Sequence, residues 1–162
     1  LRMVLAPGYR ARFDRRDWSV RQMRSDLEGS LKRMRTDHVE RFCLHEPLDV
    51  LSDGVWDDLA SAAQDLKRAG KIGQFGISGE QPCMAALAVR PGLDFVQTRI
   101  GTALHGFDGP IFAYGLFGQF RASGQGDFNA YLRGGPGGPG VAAHLLSSTK
   151  PDAVKAYRPL FG

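Results

Sequence analysis

The stretch Val39-Glu40-Arg41-Phe42-Cys43-Leu44-His45-Glu46-Pro47 constrains the fold more than any other part of the chain. It reads as a short buried strand that runs directly into a histidine, a carboxylate and a proline. Helix-period apolar patterns stand on both sides of it. A strand between two helices belongs to an α/β fold, where functional groups gather at the C-terminal ends of the strands. His45 occupies such an end.

Taken in order, residues 2–6 form a brief apolar run stopped by Pro7-Gly8, which suits a short strand. Ser19 and Gln22 have the spacing of a capping box, which satisfies free N–H groups at a helix start. Val20, Met23, Leu27, Leu31 and Met34 then recur at helical intervals, so one stripe should face a core while the arginines face water. Pro47 to Gly54 reads as a loop. Val55, Trp56, Leu59, Ala62, Ala63, Leu66 and Ala69 make a second amphipathic helix, with Gly70 placed as its left-handed cap.

Lys71 to Ser78 predicts the next strand, and Pro82 opens a short Ala-rich helix through Val89. Leu93 to Thr98 and Ile111 to Tyr114 predict two more strands. The segment from Gly115 to Gly140 is rich in glycine, and its 134–140 stretch is expected to be a Gly/Pro-rich loop or linker. Val141 to Ser148 predicts a last strand, and Pro151 to about Tyr157 a final short helix.

Strands alternating with helices imply parallel pairing through right-handed crossovers. No Gly-rich phosphate loop follows any strand, which favours a (β/α) barrel over an open dinucleotide-binding sheet. A complete barrel needs roughly 200–250 residues, and this chain has 162. The expected fold is therefore an incomplete (β/α)8 TIM barrel, a single partial domain over 1–162 with its first units absent. The opening at Leu1 rather than methionine fits truncation or processing.

Composition narrows the function classes. The chain is 43% hydrophobic and 23% charged, the balance of a globular domain with a sizeable core. No apolar run approaches the roughly 18 residues of a membrane span, and no secretory leader is expected. The formal charge of +4 comes from arginines concentrated early, but aspartates and glutamates interleave them and no aromatic stacking platform accompanies them. A solvated mixed-charge helix face is expected rather than a nucleic-acid surface. Cys43 and Cys83 lie in separate apolar segments without metal-ligand spacing and read as buried thiols in a reducing compartment. His38, His105 and His144 read as loop or surface residues, and no pair of histidines has metal-ligand spacing.

With these pairs laid out, the sequence resembles the aldo-keto reductase family. Ser30 to Val39 is similar to the family's helix and turn before its fourth strand, and Leu44-His45-Glu46-Pro47 to its Leu-His-x-Pro strand end. Gly70-Lys71-Ile72 followed by Phe75-Gly76-Ile77-Ser78 resembles its Gly-Lys-Ile...Gly-Val-Ser-Asn strand. Gln97 falls where the next strand carries a glutamine, and Ala113-Tyr114-Gly115-Leu116-Phe117-Gly118 resembles its Ala-Tyr-Ser-Pro-Leu-Gly. The order and spacing hold through residues 19–155.

The resemblance implies a cytoplasmic oxidoreductase that uses NADPH, with NADH as the other candidate, to reduce a small-molecule aldehyde or ketone. It implies His45 as the catalytic histidine that orients the carbonyl. It implies cofactor contacts from Ser78 and Gln97 to the carboxamide, from Tyr114 stacking on the nicotinamide, and from Ser147, Ser148 and Lys150 near the adenosine phosphate. It implies no metal, nucleic acid or membrane partner, and exposed sheet edges would favour self-association.

The departures are as informative. Gly79 stands where the family has an asparagine, and Ala153 where it has an arginine. The family's catalytic aspartate and tyrosine would precede residue 1, and its lysine would follow the strand at 2–6, where Pro7 and Gly8 stand. Turnover by these 162 residues alone is accordingly expected to be negligible. Two other functions stay open: a non-catalytic barrel remnant that binds nucleotide or a protein partner, and a basic surface-binding module resting on the Arg-rich first helix.

Overall fold

The structure is a computed structural model that describes residues 16–47, 50–80, 83–138 and 140–146. The strand expected at 2–6 and the helix expected from Pro151 lie outside the described residues. Five strands, β1 (Val39–His45), β2 (Ile72–Gly79), β3 (Phe95–Arg99), β4 (Ile111–Tyr114) and β5 (Val141–Leu145), form one sheet in the order β1-β2-β3-β4-β5. All four pairings are parallel. Each strand lies beside its predecessor and the order never reverses, which is barrel topology rather than a doubly wound sheet. No pairing joins β5 back to β1 among the described residues, so the sheet is an incomplete (β/α)8 barrel with β1 and β5 as its edges.

Helix α1 (Val20–Met34) starts as its sequence signal predicts, with the Ser19 hydroxyl accepting from the Gln22 N–H at 3.2 Å. Only half of the capping box forms, because the Gln22 side chain turns forward to Asp26 at 2.8 Å. At the other end the Thr36 N–H reaches the Leu31 carbonyl and the Arg35 N–H the Lys32 carbonyl, a Schellman closure with Arg35 at φ 56°. Met23, Leu27 and Leu31 are buried as the stripe requires. Met34 is not: it is 55% exposed at the last position of the helix.

Helix α2 (Asp53–Arg68) buries Trp56, Leu59, Ala62, Ala63 and Leu66, and the Trp56 indole N–H donates to the Pro91 carbonyl at 3.0 Å. The short helix α3 (Cys83–Ala88) buries Met84 and Leu87. With Leu44, Phe75, Ile77 and Val96 from the sheet's outer face, these side chains form the main core. Each fully buried Leu, Ile or Phe contributes roughly 1.5–3 kcal/mol.

The glycine-rich segment after β4 holds two helices for which the sequence raised no expectation, α4 (Leu116–Ser123) and α5 (Phe128–Arg133). Its glycines fall at the boundaries, with Gly115 (φ 86°) before α4 and Gly124 (φ 70°) after it. Between them, Phe120 meets Phe128 at 5.0 Å and Tyr131 at 5.4 Å, so aromatic packing supplies the cohesion that the glycines lack. Strand β1 is also less buried than its apolar run suggests. Leu44 is its only buried residue, and Cys43 is half-buried, because β1 is an edge strand whose inner face opens to solvent among the described residues.

The period of two places alternate residues on the sheet's inner, concave face. Toward the N-terminal ends this face is filled. The Phe95 ring lies over Gly76 and meets Phe112 edge-on at 5.6 Å. The Arg41 guanidinium sits 4.5 Å from the Phe112 centroid and donates to Gln74 at 2.8 Å. Above this floor, toward the C-terminal ends, the concave face carries His45, Ser78 and Gln97.

Candidate functional site

His45 on β1 is the register partner of Ser78 on β2, and Ser78 is the partner of Gln97 on β3. Three of the residues singled out from the sequence thus form one row across neighbouring strands, spaced at roughly 4.8 Å. The row continues to Phe112 on β4, and Tyr114 lies two residues further along β4, on the same face. Ser78 is 2% exposed, while Gln97 and Tyr114 are half-buried and His45 is exposed at the open edge. The Gln97 carboxamide makes no hydrogen bond to any described residue, so its polar atoms remain available on the concave face.

Tyr114 is tied to the strand ends beside it. Its hydroxyl donates to the Gly79 carbonyl at 3.2 Å, and the Thr98 hydroxyl donates to the same carbonyl at 2.9 Å. The Arg99 guanidinium stands 5.9 Å from the Tyr114 centroid and pairs with Glu80 at 2.5 Å. Burial, followed by the nearby Glu80 carboxylate, pushes the Tyr114 phenol up to about 12. The hydrogen bond from Arg99 holds the Glu80 carboxyl below its ordinary range.

The other end of the row turns sharply. Glu46 adopts φ 46° and donates its N–H to the Ser78 carbonyl at 2.5 Å, which bends the chain over the sheet edge. A left-handed non-glycine residue costs roughly 1–2 kcal/mol. Arg16 offsets it by donating to the His45 and Glu46 carbonyls, and it also faces the Glu46 carboxylate at 3.7 Å. A groove of about 540 Å³ runs between the start of α1 and β1, lined by Trp18, Gln22, Phe42, Cys43 and His45 among others.

Comparison with solved structures finds the same fold. PA4992 from Pseudomonas aeruginosa, assigned as an aldo-keto reductase, superposes with a TM-score of 0.61 at 25% identity over 86% of this chain and 58% of its own. The chain has the fold of an aldo-keto reductase. The aldo-keto reductase AKR11C1 from Bacillus halodurans shares the fold at a TM-score of 0.61 and 20% identity, over 88% of this chain and 62% of its own. Among curated proteins, the uncharacterized oxidoreductase YrpG of Bacillus subtilis (strain 168) is 38% identical over 65 residues, 40% of this chain and 19% of that protein. No family model matches the sequence. The chain therefore spans less than two thirds of each of these aldo-keto reductase and oxidoreductase chains.

Against this aldo-keto reductase frame, the structure brings His45, Ser78, Gln97 and Tyr114 to one face, while Ser147, Ser148 and Lys150 lie outside the described residues. Gly79 gives the strand end only backbone atoms, and its carbonyl is already taken by Tyr114 and Thr98. His144 departs from the surface position expected for it. It lies half-buried on β5, with a buried Nδ1 that has no partner among the described residues, and burial holds its pKa down. Glu80, Arg99 and Arg16 escaped the sequence reading. Arg99 could have been found, because it lies two residues beyond Gln97 on the same strand and so shares its face.

The described residues contain no group of three His, Cys, Asp or Glu able to hold a metal ion. No described helix is long and apolar enough to cross a membrane. A hydroxyl, a carboxamide without a partner among the described residues and a flat aromatic face share one surface, a set that fits a nicotinamide.

Proposed function

We propose that this chain forms the nicotinamide-binding wall of a cytoplasmic carbonyl reductase that uses NADPH, with NADH as the alternative. The observation that carries the reading is the row His45, Ser78, Gln97 with Tyr114 beyond it, all on the concave face at the strands' C-terminal ends. Ser78 and Gln97 hydrogen-bond the carboxamide of the ring, and Tyr114 offers its ring face for stacking. His45, in the open at the edge, hydrogen-bonds the oxygen of an aldehyde or ketone and fixes its orientation. The bound cofactor supplies the hydride. In this reading Ser147, Ser148 and Lys150 meet the adenosine phosphate.

No residue among the 162 matches the family's proton-donating tyrosine or its aspartate and lysine partners, so proton donation is assigned to none of them. Gly79 in place of the asparagine amide favours a second reading in which the chain binds nucleotide without turning over substrate. The strands β1 and β5, edges of the sheet among the described residues, would then serve self-association. Carbonyl-dependent oxidation of NADPH separates the two. Negligible turnover with retained NADPH binding supports the second for these 162 residues. Ordinary turnover that is lost in His45→Ala establishes the first.

A further inference from the structure

Arg99 and Tyr114 are register partners on β3 and β4 and share the concave face. The Tyr114 ring is held at two places. Its hydroxyl is anchored on the Gly79 carbonyl at 3.2 Å, and its face has the Arg99 guanidinium 5.9 Å from the centroid. Arg99 is itself fixed by Glu80, the residue after Gly79, at 2.5 Å. Its guanidinium also packs on the turn after Tyr114, 3.5 Å from where a Cβ on Gly115 would sit. The tips of β2, β3 and β4 are thus joined through one ion pair that bears on one ring.

We propose that Arg99, held by Glu80, is a positioning residue that sets the tilt of the Tyr114 ring and thereby the affinity for the nicotinamide end of a dinucleotide. This rests on the reading of the concave face as a nicotinamide site. An exposed ion pair by itself contributes little to stability. One that pins an aromatic ring acts on whatever stacks against that ring, through the angle and distance at which the two faces meet. Glu80 acts in this arrangement by holding Arg99 in place.

The test is fluorescence titration of the full chain with two probes, NADPH and 2′-phospho-ADP-ribose, which lacks the nicotinamide. Arg99→Met and Glu80→Gln should each weaken NADPH by about three- to tenfold, the worth of one aromatic stacking contact. Affinity for 2′-phospho-ADP-ribose should not change, and Arg99→Lys should recover part of the loss. Unchanged NADPH affinity in both variants, or equal weakening of both probes, overturns the positioning role while leaving the site reading intact. If the unaltered chain binds NADPH no better than 2′-phospho-ADP-ribose, the nicotinamide site itself falls, and the role of Arg99 falls with it.

Discussion

His45 and Ser78 face each other as register partners at the ends of two adjacent parallel strands, although one is exposed and the other 2% exposed. The difference comes from sheet position. Ser78 has a strand on both sides, whereas His45 lies on β1, which has a neighbour on one side only among the described residues. Glu46 then closes the corner by donating to the Ser78 carbonyl. The pair shows how the parallel register, rather than local sequence, gathers the polar row.

The approach of β3 to β2 depends on the missing side chain at Gly76. A Cβ there would lie 2.6 Å from the Phe95 carbonyl oxygen and 2.7 Å from its ring. The ring can turn aside, but the carbonyl belongs to the sheet and cannot. Gly76→Ala should therefore cost about 1–3 kcal/mol, read as a lowered midpoint in urea denaturation. An unchanged midpoint would mean that the two strands are not packed this closely.

Arg35 closes α1 in a conformation that favours glycine, with φ 56° and ψ 45°. Its backbone N–H is used in the closure and its side chain is not needed there. Arg35→Gly should stabilise the fold by about 0.5–1 kcal/mol, the left-handed strain relieved less the extra entropy of an unfolded glycine. Loss of stability in the same denaturation experiment would contradict the Schellman closure.

Tyr114 gives a pH-dependent prediction. Its phenol is raised from 10.0 to about 12 by burial and by Glu80. Folding therefore favours the protonated phenol. The stability this contributes is fully present below the unfolded value near 10 and is lost as pH rises toward 12. Tyr114→Phe should show a flatter decline in stability across that window. It should also lose about 0.5–1.5 kcal/mol near neutral pH with the hydrogen bond to Gly79. Parallel pH profiles for the two proteins would show that the phenol is not held in this way.

The backbone of the fold was legible because its signals are local. Ser19 caps α1, Trp56 and Leu59 lie on the buried stripe of α2, and Ile111 to Tyr114 is a strand as read. What escaped depends on contacts distant in sequence. The helices α4 and α5 were hidden because glycine frequency outweighed Phe117, Phe120, Phe128 and Tyr131, whose packing appears only once the chain is folded. The candidate site residues were named singly through family resemblance, and the common row that three of them form follows from strand register. Glu80, Arg99 and Arg16 carried no motif. They gain meaning from Tyr114, His45 and Glu46, which lie 15 to 34 positions away in the chain.

The central claim is that the concave face beside Gln97 and Tyr114 receives a nicotinamide. Its most direct test is an NADPH titration of the chain, followed by the protein's own fluorescence, beside the variants Gln97→Ala and Tyr114→Ala. The account predicts saturable binding that each variant weakens by about tenfold, the loss of one polar or one stacking contact. NADPH affinity that is the same in all three proteins, or no binding by the unaltered chain, would contradict it.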